Sequence, residues 1–439
     1  MRTIAAIVAL LLLPISWRKP RYGMVVLIGL QVLFLGGSLE LDAEKFVYGA
    51  FFGILMLAWV PAFWHTKPAW IRHPISKWLL AILGLMLISR VVGAMHGIST
   101  VDWFRDLSSM LNYSWILLGI YAFGTTVEIR KYALFLLMSI ATLTVPITLQ
   151  WMYYRSTFDS EKAVLDNMTL GPGINLFGTF LAAAFLLDAK DTSSKRKFLL
   201  LTSGFVVAAF LTGTRGVLAS IAAGCLAYFL LLRHEGKVSL RRGLSMVSVP
   251  VLLALLVTFV LTASRAIDMG ALMGRYTEAV TSEMLEDDTV QDRIMEALDG
   301  WNAFSQNPIL GEGLGYRTES VYHIGGVEFQ PQMLFMHNFY VYLLAKLGIT
   351  GFVVFVGFLA SITRCAAGEY FRRPEGFEKY FFGSMVALMV ALVVQSITAS
   401  QFNDRLATGL LGIMVGMMIA MGAAVGQSTT LVALRSRTS

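Results

Sequence analysis

The chain has 439 residues, of which 56% are hydrophobic and only 14% are charged. Soluble globular proteins carry about 25% charged residues, so this composition excludes an ordinary soluble protein. The net charge of +7 comes from short basic clusters between apolar segments, which is typical of membrane topology and argues against nucleic-acid binding. We therefore expect an integral membrane protein surrounded by membrane lipids.

Apolar segments recur along the whole chain without the alternating pattern of barrel strands. Because about 20 residues span a bilayer as a helix, the sequence predicts an all-α, polytopic fold with about 12 transmembrane helices, or about 13 if the first segment crosses fully. The first segment lacks a cleavage site before Trp17, so we expect a retained helix rather than a signal peptide. The predicted segments are residues 3–16, 24–38, 46–64, 78–94, 109–124, 132–151, 169–188, 197–211, 215–232, 244–263, 334–361, 380–400 and 406–426.

The connecting stretches alternate in basic character along the chain. Basic clusters fall on one side of the predicted membrane, at residues 18–21, 65–77, 130–131, 190–197, 233–242, 364–379 and 435–437. The positive-inside rule places these clusters and the C-terminus in the cytoplasm. The intervening stretches, including the turns at 212–215 and 401–405, are then expected to face outward.

One large outward loop, residues 264–333, interrupts the apolar pattern. It contains twelve acidic residues, four arginines and no lysine. Within it, apolar residues at helical intervals predict an amphipathic helix near the membrane face over residues 284–304. We expect residues 1–439 to form a single membrane domain, with residues 264–333 as a periplasmic loop that roofs an active site.

Arg215 is the strongest candidate for anion binding. It lies between two apolar segments and is flanked by Gly213 and Gly216. An arginine inside the membrane is unfavourable by about 2.5–3.5 kcal/mol on insertion scales and marks a functional site by default. The alternative is a tight turn whose arginine extends to the lipid headgroups.

Two loop arginines, Arg265 and Arg293, are further candidates because the guanidinium fork grips phosphate in two places. Acidic neighbours at helical distances could instead pair with them on a solvated face, namely Asp268, Asp292 and Glu296. For Arg275 and Arg317 we favour such a structural role.

His337 and Asn338 lie at the outward mouth of the helix predicted over residues 334–361, which runs through Phe339. A histidine at this boundary can hold or release a proton near neutral pH and suits a general base. The alternative is an interfacial histidine that binds headgroups. A polar turn at residues 395–405, which includes Asp404, either caps the same cavity or is a structural turn.

Metal chemistry has little support in the sequence. Residues 286–288 are acidic, but no histidine pair or second carboxylate cluster stands beside them at ligand spacing. The sequence also lacks GxSxG, Walker, HExxH and CxxC motifs. We therefore expect no metal and no other cofactor.

Several short motifs, in order and spacing, resemble the bacterial O-antigen ligase and O-antigen polymerase superfamily. The resemblance covers about residues 205–355 and rests on Gly213-Thr214-Arg215-Gly216, Arg293 followed by Trp301-Asn302-Ala303-Phe304, Asn307-Pro308-Ile309-Leu310-Gly311-Glu312-Gly313, His337-Asn338-Phe339-Tyr340 and Leu347-Gly348-Ile349-Thr350-Gly351. It implies a membrane-embedded glycosyltransferase of the C class at the periplasmic face of the inner membrane. The implied donor is a glycan on undecaprenyl diphosphate.

The resemblance also implies roles for individual residues. Arg215 and one or more loop arginines, Arg265 or Arg293, would bind the donor diphosphate, and His337 would act in catalysis without a metal. Asn338 and Asp404 are possible supporting residues. We expect direct, inverting displacement of the diphosphate.

The acceptor is what separates the family's two activities. A ligase transfers the glycan to lipid A-core, whereas a polymerase transfers it to another lipid-linked repeat. Residues 152–168 hold a single arginine, whereas a polymerase is expected to carry two sizeable arginine-bearing outward loops, so ligase is the favoured interpretation. A transporter of an anionic solute, with Arg215 and His337 on its path, is the less favoured third hypothesis because the sequence shows no internal repeat.

Overall fold

The structure is a computed structural model that describes residues 49–57, 73–123, 126–157, 173–212, 215–236, 288–317, 322–324, 327–329 and 336–437, with six more helical residues between positions 14 and 27. Several predictions lie outside the described residues. These are the first helix over 3–16, the helix over 244–263, most of the helix over 24–38, and Arg265.

Eleven helices and one hairpin follow His73 in the described part of the chain. In chain order they are α1 (Pro74–Met95), α2 (Thr100–Met110), α3 (Trp115–Ala122), α4 (Thr126–Thr157), α5 (Ile174–Asp188), α6 (Thr192–Leu211), α7 (Arg215–His234), α8 (Asp288–Gln306), β1 (Tyr322–Ile324), β2 (Val327–Phe329), α9 (Phe339–Arg372), α10 (Phe377–Thr398) and α11 (Arg405–Arg437). Short 3₁₀ helices at Leu111–Ser114 and Gln401–Asn403 precede α3 and α11.

Six helices in the described part are long and apolar enough to cross a membrane. Their candidate spans are Pro74–Met95, Glu128–Tyr153, Gly216–His234, Phe339–Arg372, Phe377–Thr398 and Arg405–Gly422. Spanning backbone must satisfy its own hydrogen bonds, which a helix does within one segment. The prediction of a polytopic, helical membrane protein is confirmed, and the total of about 12 spans stays a prediction.

Two helices extend well beyond the predicted apolar segments. α9 continues through the basic residues after Ile362 to Arg372, and α4 begins at Thr126 and ends at Thr157. Charged residues such as Arg, Lys and Glu are good helix formers, so these helices do not end where the hydrophobic pattern ends.

The long loop over residues 264–333 contains a small hairpin that the hydrophobic pattern did not predict. β1 and β2 pair antiparallel, with Tyr322 opposite Phe329 and Ile324 opposite Val327. The two residues that join the strands in the sequence are Gly325 and Gly326, a pair favoured in tight hairpin turns.

Among the six candidate spans of the described part, α10 and α11 are the most enclosed. α10 packs against α5, α7 and α9, and α11 packs against α3. Their faces contribute much of the core, including Phe381, Phe382, Met385, Leu410 and Met414, all of which are 1% exposed or less.

The helical backbone of α9 is interrupted at Gly348, about one third of the way along the helix, where φ is 63° and ψ is −167°. The loop after α8 fills this break. Pro308 and Ile309 accept the backbone N–H groups of Ile349 and Thr350 at 2.8 and 3.3 Å. In return, the backbone N–H groups of Glu312 and Gly313 donate to the carbonyls of Ala345 and Lys346. We call this set of backbone hydrogen bonds, between residues 308–313 and 345–350, the Gly348 clamp; it fixes α8 relative to α9.

Candidate functional site

His337 lies directly before α9. The next residue, Asn338, is the N-cap of that helix, and its Oδ1 accepts the backbone N–H groups of Tyr340 and Val341 at 3.0 and 3.2 Å. Capping of this kind satisfies N–H groups that the first helical turn leaves unpaired. Asn338 therefore fixes the start of α9 and, with it, the position of His337.

The side chain of His337 contacts Glu296 of α8. One carboxylate oxygen, Glu296 Oε2, lies 3.0 Å from His337 Nδ1 and accepts the backbone N–H of His337 at 2.9 Å. Glu296 is 1% exposed, whereas the His337 side chain is 25% exposed. A carboxylate accepts hydrogen bonds, so Nδ1 carries the proton in the neutral imidazole and Nε2 is the basic nitrogen.

One alternative from the sequence places Glu296 on a solvated helix face. The structure instead buries Glu296 and hydrogen-bonds it to His337. The spacing of acidic residues along the chain does not reveal a contact between residues 41 positions apart. The hydrophobic pattern does not reveal the contact between Glu296 and His337 either, because Glu296 is a polar residue on the packed face of α8.

The packing of α8 against α9 holds this pair together. Gly300 lies against Val341 and Met336, with a Cβ at Gly300 falling 3.2 Å from Met336 Sδ. Ala303, one helical turn from Gly300, is also buried. The side chains on the other face, Ile294, Leu298 and Trp301, are about half exposed. That this apolar face lies on the membrane, as the sequence indicated, stays a prediction.

Arg293 lies on α8 one turn before Glu296, so both side chains leave the helix on the same side. The Arg293 Nε atom is buried and has no hydrogen-bond partner in the part of the chain that the structure describes. A buried guanidinium N–H of this kind can donate to an anion. Arg293 is thus placed on the same helix face as the residue that holds His337.

Arg215 is the first residue of α7, and its side chain lies outside what the structure describes. The following residue, Gly216, lies against the last turn of α10, where a Cβ would be 3.3 Å from the amide of Gln395. The start of α7 is therefore beside the end of α10. Helix N-termini favour anions through their unpaired N–H groups.

The polar turn between α10 and α11 lies beside His337. Ser400 Oγ donates to the carbonyl oxygens of Met336 and His337, the latter at 3.2 Å. Asp404 caps α11, because its Oδ1 accepts the backbone N–H of Ala407 at 2.7 Å. Burial raises the pKa of the Asp404 carboxyl, and the Ala407 N–H and Arg405 oppose that rise only in part.

A second group of charges surrounds α2. Arg317 donates to Asp102 at 2.6 Å, and Arg105 donates to the same carboxylate oxygen at 3.2 Å. Desolvation raises the pKa of Asp102, but the hydrogen bonds from Arg317 and Ser99, with both arginine charges, lower it by more. Pairing with Asp102 agrees with the structural role expected of Arg317.

A buried ion pair lies next to the Gly348 clamp. Lys346 Nζ contacts Asp106 Oδ2 at 2.6 Å, and the backbone N–H of Gly315 donates to the same oxygen at 2.6 Å. Lys346 is fully buried and Asp106 is 5% exposed. The sequence predictions do not include this pair. The available signal is a lysine within the predicted segment 334–361, since ionisable residues in membrane spans rarely lack a role.

No group of three or more His, Cys, Asp or Glu side chains within the described ranges is arranged to hold a metal ion. Of the predicted site residues, the structure places His337 and Asn338 together and puts Arg293 on the helix that contacts them. Asp404 lies in the turn that contacts His337, and Arg215 begins a helix beside the end of α10.

The chain was also compared with known proteins. No curated protein matches the chain. A family model described as O-antigen ligase matches residues 198–356, a segment that includes α7, α8, His337 and the Gly348 clamp. The resemblance seen in the sequence motifs is therefore confirmed over residues 198–356, which are similar to the O-antigen ligase family.

Proposed function

We propose that the protein is an O-antigen ligase. It transfers a glycan from undecaprenyl diphosphate to lipid A-core at the periplasmic face of the bacterial inner membrane, with its C-terminus in the cytoplasm. The family domain and the helical membrane fold support a lipid-linked substrate. The basic loops support the proposed orientation.

The observation that carries the proposal is the contact between Glu296 and His337. With Nδ1–H donated to the carboxylate, His337 Nε2 takes the proton from the acceptor hydroxyl as that oxygen attacks the anomeric carbon. The buried carboxylate then stabilises the imidazolium that forms. General-base catalysis of this kind contributes about 10²- to 10⁴-fold to the rate.

The leaving group is undecaprenyl diphosphate. As the new bond to the acceptor oxygen forms, the bond between the anomeric carbon and the phosphate oxygen breaks, and negative charge develops on the diphosphate. Arg215, Arg293 and Arg265 are the proposed donors to that charge, which oriented cations stabilise most strongly in the transition state. No metal takes part in the proposed reaction.

A single displacement inverts the anomeric configuration. An α-linked donor should therefore give a β-linked product, which NMR of the product reports directly. Retention of configuration would require a covalent glycosyl intermediate and would contradict this mechanism.

Reconstitution tests the proposal. The purified protein is incubated with an undecaprenyl-diphosphate oligosaccharide, with and without lipid A-core, and the products are separated on a gel. A single transfer that requires lipid A-core supports a ligase. A ladder formed without lipid A-core would instead make the protein an O-antigen or exopolysaccharide polymerase, and no product in either case would favour the transporter hypothesis.

A further inference from the structure

Four buried side chains near the His337 end of the bundle each carry a polar atom without a hydrogen-bond partner in the described part of the chain. The atoms are Asn175 Nδ2, Gln395 Nε2, Ser396 Oγ and Gln401 Oε1. None of these residues is more than 8% exposed. Native proteins pair nearly all buried polar groups, so a group of unpaired ones indicates a partner that the described residues do not supply, such as a bound ligand.

The four atoms lie where three helix ends converge. Gln395 and Ser396 are in the last turn of α10, and Asn175 is in the first turn of α5, which packs against α10. The Gln401 amide lies against Gly173, two residues before Asn175. These contacts connect the polar atoms into one region of the bundle.

This region adjoins both parts of the candidate site. On one side, Gln395 Oε1 accepts the hydroxyl of Ser220 at 2.9 Å, and its amide lies against Gly216, the residue after Arg215. On the other side, Ser400, next to Gln401, donates to the carbonyl of His337. The unpaired atoms thus lie between the start of α7 and the proposed base.

The chemistry of the four groups indicates their ligand. Amide N–H groups donate, an amide oxygen accepts and a serine hydroxyl does both. A sugar ring presents hydroxyl groups, each of which donates one hydrogen bond and accepts others. Phosphate oxygens, in contrast, only accept hydrogen bonds, and the arginine side chains are better donors to them. Uncharged donors and an acceptor in one place therefore match a sugar.

We propose that Asn175, Gln395, Ser396 and Gln401 form a sugar-binding subsite that holds hydroxyl groups of the transferred glycan or of the acceptor. The proposal rests on the proposed glycosyl transfer and extends it by naming residues that bind sugar. We call these four residues the amide subsite.

Two substitutions test the amide subsite by binding, with full-length protein in lipid nanodiscs. Ser396→Ala removes one unpaired hydroxyl. Gln395→Met removes an unpaired N–H and leaves Ser220 paired, because the Ser220 hydroxyl also donates to Gly216 O at 2.6 Å. Three probes are used: undecaprenyl-diphosphate oligosaccharide, sugar-free undecaprenyl diphosphate and lipid A-core.

We expect both variants to lose affinity for a glycan-bearing probe by about 2- to 12-fold, the usual effect of one lost hydrogen bond. Binding of sugar-free undecaprenyl diphosphate should not change. A loss confined to the oligosaccharide donor assigns the subsite to the donor glycan, and a loss confined to lipid A-core assigns it to the acceptor.

Ser76→Ala is the matched control. Ser76 is fully buried, its hydroxyl also has no partner among the described residues, and it lies in the first turn of α1. This control should bind all three probes as the wild type does. Thermal unfolding should show no loss of stability in Ser396→Ala, since the hydroxyl it removes makes no hydrogen bond within the described part of the protein.

The amide subsite is overturned if both variants bind every glycan-bearing probe as tightly as the wild type, which would mean that water pairs these atoms. It is also overturned if affinity for the sugar-free lipid falls equally. Failure of the proposed function looks different, because the wild type would then bind glycan through these residues but form no product on reconstitution.

Discussion

The backbone N–H of Ile349 donates to the carbonyl oxygen of Pro308 at 2.8 Å, across the break in α9. This bond exists because Gly348 leaves the helical conformation there. The loop that supplies Pro308 follows α8, and α8 carries Glu296. The Gly348 clamp therefore fixes α8, which carries Glu296, relative to α9, which begins directly after His337 and Asn338.

Gly348→Ala should destabilise the protein and reduce transfer. Its backbone, with φ 63°, is strained for any residue with a Cβ, and an added Cβ would lie 2.6 Å from Leu310 N. We expect a loss of at least about 1–3 kcal/mol of stability, measured by thermal unfolding. The rate of transfer should fall in the fraction that stays folded, because α8 shifts relative to α9.

Gly368→Ala is the control for this prediction. Gly368 lies in the same helix, and a Cβ built there meets no atom within 4 Å. This variant should match the wild type or be slightly more stable, since alanine favours helix over glycine. Equal behaviour of the two variants would show that the Gly348 clamp does not hold the site.

Glu296→Gln should lower kcat while leaving the donor KM nearly unchanged. Glutamine keeps the size of the side chain, and its oxygen can still accept both N–H groups of His337. It removes the negative charge that stabilises the imidazolium formed when His337 takes the proton. We expect a fall in kcat of about 10²- to 10⁴-fold, measured as initial rates at varied donor concentration.

Glu312→Gln provides a matched control, because Glu312 is also a buried carboxylate that contacts a histidine, His96, at 3.0 Å. We expect its kcat to stay close to that of the wild type. If Glu296→Gln lowered the unfolding temperature and KM changed as much as kcat, Glu296 would have only a structural role.

Arg293→Lys should weaken donor binding. Lysine keeps the positive charge but lacks the planar fork that contacts two phosphate oxygens. Affinity for undecaprenyl diphosphate should fall about tenfold, measured by binding in nanodiscs. In Arg317→Lys the charge remains next to Asp102, so donor binding should not change. Equal affinity in the Arg293 variant and the wild type would remove Arg293 from the diphosphate site.

The sequence predicts the helical fold because apolar length and loop charge are local properties. It also places His337 and Asn338 at a helix start, and the structure has that start at Phe339. The amphipathic helix predicted over 284–304 is present as Asp288–Gln306. Local patterns of capping and periodicity are sufficient for each of these features.

What the sequence does not predict is the pairing of distant polar residues. Lys346 and Asp106 are 240 positions apart, and Glu296 contacts His337 across a loop. Each pair forms because tertiary packing buries one charge, which then requires a partner. Single-chain patterns indicate that such a charge is unusual but do not identify its partner.

Asp404→Asn should keep the fold and gain stability near neutral pH, whereas Asp404→Ala should lose about 1 kcal/mol. Burial raises the pKa of the folded Asp404 carboxyl above its unfolded value. The folded state therefore binds the proton more tightly. The charged carboxylate destabilises the folded state by an amount that grows as the pH rises from the unfolded pKa to the folded pKa and is constant above the folded pKa. Asparagine removes this charge and retains the oxygen that accepts the Ala407 N–H. Thermal unfolding at pH 4 and pH 7 should show the gain in stability of Asp404→Asn only at pH 7. An equal gain in stability at both pH values would contradict the burial argument.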